Sequence, residues 1–465
     1  MSQAPAQVVV VGSGFAGFFA ARKLARILPR ELAEVTMVSA TDHLGYSPLL
    51  PEVAAGRLDP QRIAVPLHGS LGCSRILQGR VEDVDFESRK VRVACGEELS
   101  LPYDRLVLAT GSVTREVAAP GLSEFAFGLK TLAEGQFIHD HVLQQLQLAD
   151  ATTDPEVRRA RLTFLVVGAG YTGTETAAQL QRMTQKQLSS FPRLSASDLR
   201  WLLVDLRPDV LPELGPRLGR YALRLLRRRG MDIRLGTTVT AMRPGEVKLS
   251  DGTVLPCRTI LWTAGVTPPP IVAQIGLPVR RGRLVVDEYL KLRDHVWAAG
   301  DSAAAIDPYD RDEMDYPPTA QHAQRQGMVI ARNVAASLGV GTPTTYRHRD
   351  LGLVADLGGM RAVARPFGLP LTGLPAKVVT KGYHLVAIPY WANKLRVAAD
   401  WLVNLVSRPT ATQLGLVQKS AAQLRSEYSD ELSRPAGATA MASAQIRPSQ
   451  SPDTSISTTT RQAPT

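Results

Sequence analysis

The stretch "VVVVGSGFAG", residues 8–17, runs four valines straight into glycines spaced GxGxxG. Val8 to Val11 read as a strand, and "FFAARKLARIL", which follows the last glycine, reads as a helix. A second strand, "VTMV" at 35–38, comes next. In the order strand, tight turn, helix, each glycine has a task. Gly12 permits the turn, Gly14 lets backbone approach a pyrophosphate, and Gly17 lets the helix pack on the strand. Phe15 and Ala16 begin the helix whose N-terminus would receive that pyrophosphate. An acid usually closes the second strand and binds the ribose hydroxyls. Here Ser39 stands in that place, with Asp42 three residues on, so either the serine hydroxyl substitutes or Asp42 reaches back.

The pattern returns in "FLVVGAGYTGTETAAQL", residues 164–180, where Gly168, Gly170 and Gly173 take the three glycine roles and Tyr171 and Thr172 begin the helix. Its second strand, "WLLVD", ends in Asp205, after a longer interval than usual because "MTQKQLSSFPRLSASD" intervenes. Asp205 favours a free 2′-hydroxyl and hence NADH, while neighbouring Arg207 leaves NADPH open. Two such units imply two dinucleotides, and two dinucleotides side by side imply hydride passing between them.

Composition narrows the chemistry further. At 465 residues and 44% hydrophobic, the chain is globular material for two or three domains. Cys73, Cys95 and Cys257 have no CxxC or similar spacing, so no metal site, disulfide framework or redox-active dithiol is expected. A formal net charge of +11 suggests an anionic partner. The basic residues are spread along the chain without a nucleic-acid motif, which argues against nucleic acid. "MSQAPAQ" leads directly into the first strand without a secretory pattern, and no uncharged apolar run reaches the roughly 18 residues of a membrane span.

One later segment is unusual. In "YPPTAQHAQRQG", residues 316–327, Pro317 and Pro318 suit a helix start and Thr319 can cap it. Ala323, Gly327, Ile330, Ala331 and Val334 then recur as one buried stripe. Gln321 and Arg325 lie one turn apart on another stripe, near the positive end of the helix dipole.

"YDRLVLATGS" (103–112) and "VWAAGDSAA" (296–304) resemble the ATG and GD motifs of two-dinucleotide flavoproteins, and "TILWTAGV" (259–266) is similar to the matching crossover out of the nicotinamide domain. The order GxGxxG, ATG, GxGxxG, ATG-like, GD carries the resemblance. It implies FAD in the first unit, held also by Thr110, Gly111 and the ribityl-binding Asp301, and NAD(P)H in the second, beside Gly265. Within that superfamily the chain resembles type II NADH dehydrogenases, the single-chain NADH:quinone oxidoreductases, over about residues 7–408. "YSPLLPEVAAGRLDPQRIAVPL" (46–67), "GYTGTE", "PPTAQHAQRQG" and "GLPAKVVTKGYHLVAIPYWANKLRVAADWLVNL" carry the finer likeness. The resemblance places Glu175 beside nicotinamide and flavin, where burial would raise its pKa for proton relay. It places Gln321 at the flavin–quinone junction, but Arg325 replaces the family's second glutamine. A guanidinium can bind a quinone oxygen, the more so a charged one, or a carboxylate on another acceptor; alternatively it pairs with Asp312 or Asp315. Lys381 reaches the flavin, pairs with Glu175, or lies at the surface.

From Ala376 to Ile388 and from Trp391 to Val406 apolar residues recur at helical spacing, with Pro389 between. Leu395, Ala398, Leu402 and Leu405 line one face, Trp391 and Trp401 take amphipathic positions, and Lys394, Arg396 and Arg408 add charge. This pattern fits helices lying in a membrane interface on an anionic lipid surface, or a homodimer contact. The expected architecture is α/β: two Rossmann-type domains in a glutathione-reductase-like arrangement with a C-terminal α/β appendage. The expected boundaries are 1–118 and 285–345 for the FAD domain, 119–284 for the NAD(P)H domain, 346–432 for the membrane-associating part, and 433–465 for a disordered tail rich in Ser, Thr, Ala and Pro. The expected function is hydride transfer from NADH to flavin, with electrons passing to a membrane quinone without proton pumping, at the cytoplasmic face of the membrane. Without paired cysteines, glutathione-reductase, thioredoxin-reductase and sulfide:quinone reductase chemistry is disfavoured. A soluble NAD(P)H reductase resembling ferredoxin reductases, and a redox sensor somewhat like apoptosis-inducing factor, remain as alternatives.

Overall fold

The computed structural model describes residues 4–72, 75–307, 314–348, 351–407 and 411–419. Cys73, Asp312, Arg408 and the tail from residue 433 lie outside them.

The valine run forms β1 (Ala6–Val11), and Val8 to Val11 are all buried. The chain turns at Gly12 into α1 (Phe15–Ile27), then forms β2 (Ala33–Ser39), α2 (Leu50–Ala54), β3 (Arg75–Gln78) and β4 (Arg105–Leu108). β1 pairs in parallel with β2 and with β4, the arrangement of a dinucleotide-binding unit. Gly17 shows why the turn needs glycine. A Cβ there would lie 1.8 Å from the Gly12 carbonyl oxygen, while one on Gly14 would meet nothing within 4 Å.

The second unit comprises β5 (Ala126–Phe127), α3 (Leu132–Ala151), β6 (Thr163–Val167), α4 (Tyr171–Gln187), β7 (Arg200–Asp205), β8 (Asp232–Leu235) and β9 (Thr259–Trp262). Its sheet order is β5-β9-β6-β7-β8, with every pairing parallel. The glycine geometry repeats: a Cβ on Gly173 would lie 1.9 Å from the Gly168 carbonyl oxygen. The chain enters and leaves this unit through a two-stranded antiparallel crossing in which Val113 pairs with Thr267 and Thr114 with Val266. It then returns to the first sheet as β10 (Lys291–Arg293) and β11 (Val296–Ala298), completing the order β10-β11-β4-β1-β2-β3. α5 (Ala320–Ala336) packs directly on α1, where a Cβ on Gly327 would lie 2.2 Å from the Ala16 carbonyl oxygen. Ala323, Gly327, Ile330, Ala331 and Val334 form its buried stripe, and Thr319 Oγ1 caps it by accepting from the His322 N–H at 3.3 Å.

The C-terminal part is an antiparallel sheet of β12 (Val354–Asp356), β13 (Ala362–Ala364) and β14 (Leu371–Thr372), followed by α6 (Gly373–Ala387) and α7 (Trp391–Val406). Both helices are amphipathic, and their polar faces point inward. Lys377, Thr380 and His384 of α6 and Asn393 of α7 are buried. Asn393 Nδ2 donates to the carbonyls of Arg62 at 2.7 Å and Ala64 at 3.0 Å. Asn404 Nδ2 donates to that of Arg57 at 2.7 Å, and Arg62 pairs with Asp400 at 3.2 Å. Val378, Val386, Trp391, Leu395, Leu402 and Leu405 are exposed. Among the described residues no helix is long and apolar enough to cross a membrane. Trp401 departs from the sequence expectation. It turns inward, its Nε1 donating to Glu52 Oε2 at 2.8 Å and its ring lying under Lys381 Nζ at 3.9 Å. A buried carboxylate that needs a donor claims the indole that amphipathic spacing had given to the interface.

Two stability outcomes follow from this packing. Gly17→Ala should cost roughly 3 kcal/mol or more in denaturant unfolding, since backbone rather than side chain must yield. Gly14→Ala should leave the unfolding midpoint nearly unchanged; equal losses would contradict the packing role. Glu52→Gln should cost about 3–5 kcal/mol of stability, read as a fall in the thermal midpoint, because it leaves Lys381 with only the more distant Asp356 carboxylate. An unchanged midpoint would mean that the C-terminal helices do not depend on this pair.

Candidate active site

Each glycine turn leads into a helix with no side-chain cap and no acidic residue in its first turn, so first-turn N–H groups are available to an anion. In the first unit Ser39 and Asp42, the alternatives for the missing acid, sit in different surroundings. Ser39 is buried, and its Oγ, with one proton to donate, lies 2.6 Å from Ser13 Oγ and 2.7 Å from the Thr41 carbonyl. Asp42 does not reach back; it is exposed and pairs with His43 Nδ1 at 2.8 Å. Thr110 Oγ1 is buried with no hydrogen-bond partner, and Gly111 takes φ +72° with open space where a side chain would be. Asp301 Oδ2 accepts from Ser112 Oγ at 2.5 Å and faces Lys130 Nζ at 3.5 Å. The loop before it is held by Gln326, whose Oε1 accepts from the Gly300 N–H at 2.7 Å. An uncapped helix start, an orphaned hydroxyl and a carboxylate in the first unit suit FAD, the group that the fold implies.

In the second unit Asp205 is buried. Its Oδ2 accepts from the Ala169 N–H at 2.6 Å and its Oδ1 from the Arg207 N–H at 2.8 Å. The Arg207 guanidinium lies 3.5 Å from Asp205 and 3.2 Å from Glu213, and also borders Gly170. Tyr171 and Thr172 occupy the first turn of α4. Gly265 takes φ +108°, and a Cβ there would lie 2.4 Å from Arg115 Nη2.

Glu175, one turn into α4, is the point where the second unit meets the C-terminal sheet. Its Oε1 accepts from the Asp356 N–H at 2.6 Å. Burial first, then the negative charges of Asp356 and Glu52, push its carboxyl up to about 8. The Asp356 carboxylate is ion-paired with Lys377 and lies 3.7 Å from Lys381. Lys381 in turn is ion-paired with Glu52, not with Glu175. Burial alone would raise Glu52, but Lys381, Lys377 and Arg57 overrule it and hold it at about 2. Burial pulls Lys377 below the usual lysine range and drives His384 down to about 4, so the histidine is neutral where its Nδ1 meets Tyr46 Oη at 3.1 Å. The result is a buried chain of alternating charge ending on an acid whose carboxyl is pushed up by burial.

A second group of polar side chains gathers at the start of α5. Gln321 Nε2 donates to the Gly352 carbonyl at 2.9 Å, and its Oε1 is buried without a partner. The Arg325 Nη1 sits on the His348 ring, 2.8 Å from Nδ1. Asp315, proposed from sequence as its partner, carries Arg280 and Arg283. His348 is tilted against His322 with centroids 3.8 Å apart, and His322 Nδ1 meets Tyr346 Oη at 2.8 Å. Burial, His348 and Arg325 together push His322 down to about 3. Sequence reading had not singled out Glu52, Asp356, Lys377, His348 or Lys130. Only Lys377 carried a signal, its four-residue spacing from Lys381 on one helix face.

Cys257, for its part, is buried and its thiol is pushed up to about 12 by burial, so it offers no reactive sulfur.

Comparison with known proteins agrees with this geometry. Residues 6–327 match the family model described as pyridine nucleotide-disulphide oxidoreductase. A type II NADH:quinone oxidoreductase of Mycobacterium tuberculosis is 30% identical over 459 residues, covering 95% of this chain and 96% of that one. An internal alternative NAD(P)H-ubiquinone oxidoreductase of Solanum tuberosum mitochondria is 27% identical, covering 86% of each chain. The fold matches that of NDH2 from Plasmodium falciparum in complex with NADH, with a TM-score of 0.80 at 15% identity, over 88% of this chain and 99% of that one. The two glycine turns and this near full-length likeness agree: the chain belongs to the type II NADH:quinone oxidoreductases, within the pyridine nucleotide-disulphide oxidoreductase family.

Proposed function

We propose that this chain oxidises NADH and reduces a membrane quinone by way of bound FAD, without pumping protons. The observation that carries the reading is the convergence at Glu175 of the second nucleotide-binding helix, the C-terminal sheet and the α2 carboxylate. Bound flavin supplies the two-electron chemistry between nicotinamide and quinone. The protein supplies position and charge. Gly12, Gly14 and Gly17 with the first turn of α1 hold one pyrophosphate, and Gly168, Gly170 and Gly173 with that of α4 hold the other. Asp301 and Thr110 bind the flavin nucleotide, and Asp205 the nicotinamide nucleotide's ribose. Arg207 is already engaged by Asp205 and Glu213, which supports NADH over NADPH.

Glu175 keeps its proton at neutral pH and delivers it toward reduced quinone, and the lysine–carboxylate chain behind it fixes the field it feels. The sign of its pH dependence follows. An unfolded glutamate releases its proton near 4.5, whereas this one holds on to about 8. Its folded form therefore binds the extra proton between those values, and its contribution to stability falls as pH rises through that window. Gln321 offers an amide to a quinone carbonyl. Arg325, braced by His348, places a cation on the same helix stripe, where it favours an acceptor whose oxygen gains negative charge.

The exposed apolar face of α6 and α7 docks on the cytoplasmic face of a membrane as a peripheral attachment, from which a quinone reaches the flavin. Lys394 and Arg396 beside that face support a lipid surface over a second copy of the chain. We assign residues 1–118 and 285–345 to FAD binding, 119–284 to NADH binding and 346–432 to membrane association.

Anaerobic stopped-flow mixing separates the two halves of the reaction. NADH should reduce the flavin of the native protein, and a soluble ubiquinone or menaquinone analogue should reoxidise it rapidly. Arg325→Gln should keep the first half and change only the rate of the second. If quinone reoxidises the glutamine variant alone, the native acceptor is not a quinone and only the dehydrogenase half of the proposal survives.

A further inference from the structure

A cavity of about 640 Å³ opens between α1, the turn at residues 69–72 and the start of α7. Arg22, Arg26 and Lys394 line it, and among the described residues no carboxylate does. Arg22 and Arg26 are one helical turn apart, a like-charge spacing that costs stability unless an anion relieves it. Among the described residues none of the three cations forms an ion pair. Arg22 Nη1 donates to the Pro389 carbonyl at 3.0 Å and Lys394 Nζ to that of Val386 at 2.9 Å, so both are held by carbonyls at the end of α6 and in the turn after it. Arg22 Nε and Ser70 Oγ are buried with no hydrogen-bond partner. Burial and the repulsion of Arg26 pull the Arg22 guanidinium below its usual range, the response of a cation lacking a counter-charge. Gly69 and Gly72, at φ +81° and +73°, shape the turn that carries Ser70, and nothing lies within 4 Å of where their side chains would be. Tyr390 and the exposed Trp391 complete the rim, next to the apolar outer face of α7.

We propose that this cavity binds an anionic phosphate group, supplied by a phospholipid headgroup at the surface on which α7 rests. Three converging cations, a hydroxyl and two tryptophan- and tyrosine-bearing positions suit a phosphate at the level of the headgroups. The absence of a lining carboxylate disfavours headgroups that carry a balancing amine or choline. The inference rests on membrane docking by α6 and α7, so its test must fail separately from that reading.

The test is co-flotation of the full-length flavin-loaded protein with vesicles of phosphatidylcholine alone or with added phosphatidylglycerol, and calorimetric titration with inorganic phosphate. Arg26→Gln and Lys394→Gln should each weaken binding to the anionic vesicles by more than about tenfold, the loss of a charge-assisted hydrogen bond. Arg396→Gln, two residues from Lys394 but outside the cavity, should cost no more than the roughly fivefold that any surface cation contributes. Leu395→Ser with Leu402→Ser should abolish binding to both kinds of vesicle. Equal losses in all three cation variants would overturn the site and leave membrane docking intact. If the native protein binds neither vesicle, membrane docking falls. The phosphate titration then decides: saturable binding lost in Arg26→Gln keeps the phosphate site with a soluble ligand, and no binding overturns it. NADH reduction of the flavin should be unchanged in every cation variant, which shows that each has folded.

Discussion

Asp356 is the residue on which the rest of the arrangement depends. Its carboxylate is paired with Lys377 and faces Lys381, its backbone N–H donates to Glu175, and Lys381 continues the chain to Glu52. No member of this chain is tolerable alone. A buried lysine without its carboxylate, or a buried carboxylate without its lysine, carries a desolvation cost of several kcal/mol. Together they satisfy one another, and in doing so they fasten three elements distant in sequence: α2 of the first unit, α4 of the second and the C-terminal sheet with α6. The same contacts that dock the C-terminal part set the field at Glu175. Structure and chemistry are therefore coupled here: loosening the appendage would also release the acid.

The remainder of the active cleft is divided by similar economy. Each glycine turn brings a helix start within reach of a phosphate, and each is held from behind by a side chain at the end of the second strand. In one unit that side chain is Asp205, which accepts from the loop's own N–H; in the other it is Ser39, whose Oγ lies 2.6 Å from that of Ser13. On the proposed function the difference would suit different tasks: Asp205 would serve the ribose of an exchanging nicotinamide nucleotide, and Ser39 would lock the loop under a resident flavin nucleotide that Asp301 and Thr110 would hold.

Where the chain's meaning is written locally, it was legible in the sequence. The valine run and three glycines specify strand, turn and helix because φ beyond +90° at Gly12 and a 1.8 Å backbone approach at Gly17 admit no other residue. Thr319 and the stripe from Ala323 to Val334 likewise announce a capped, one-sided helix. What could not be read was pairing across long separations. Nothing near Glu52 in the sequence points to Lys381, 329 residues away, or to Trp401, 349 residues away. Periodicity placed Trp401 correctly on a helix but could not say that a buried carboxylate would draw it inward. Arg325 illustrates the same limit: of the aspartates offered as partners, Asp315 carries Arg280 and Arg283, Asp312 lies outside the described residues, and the fold sets the guanidinium on His348.

The account stands or falls on the protonation of Glu175. Infrared difference spectroscopy of the flavin-loaded protein across pH, native against Glu175→Gln, reads it directly through the carboxylic C=O stretch. The account predicts a protonated carboxyl band that disappears with a midpoint near 8 in the native protein and is missing from the glutamine variant. A Glu175 band that titrates at the ordinary glutamate value of 4.5 would contradict it. The buried charge chain would then be a fastening alone, with no part in holding a proton at the cleft.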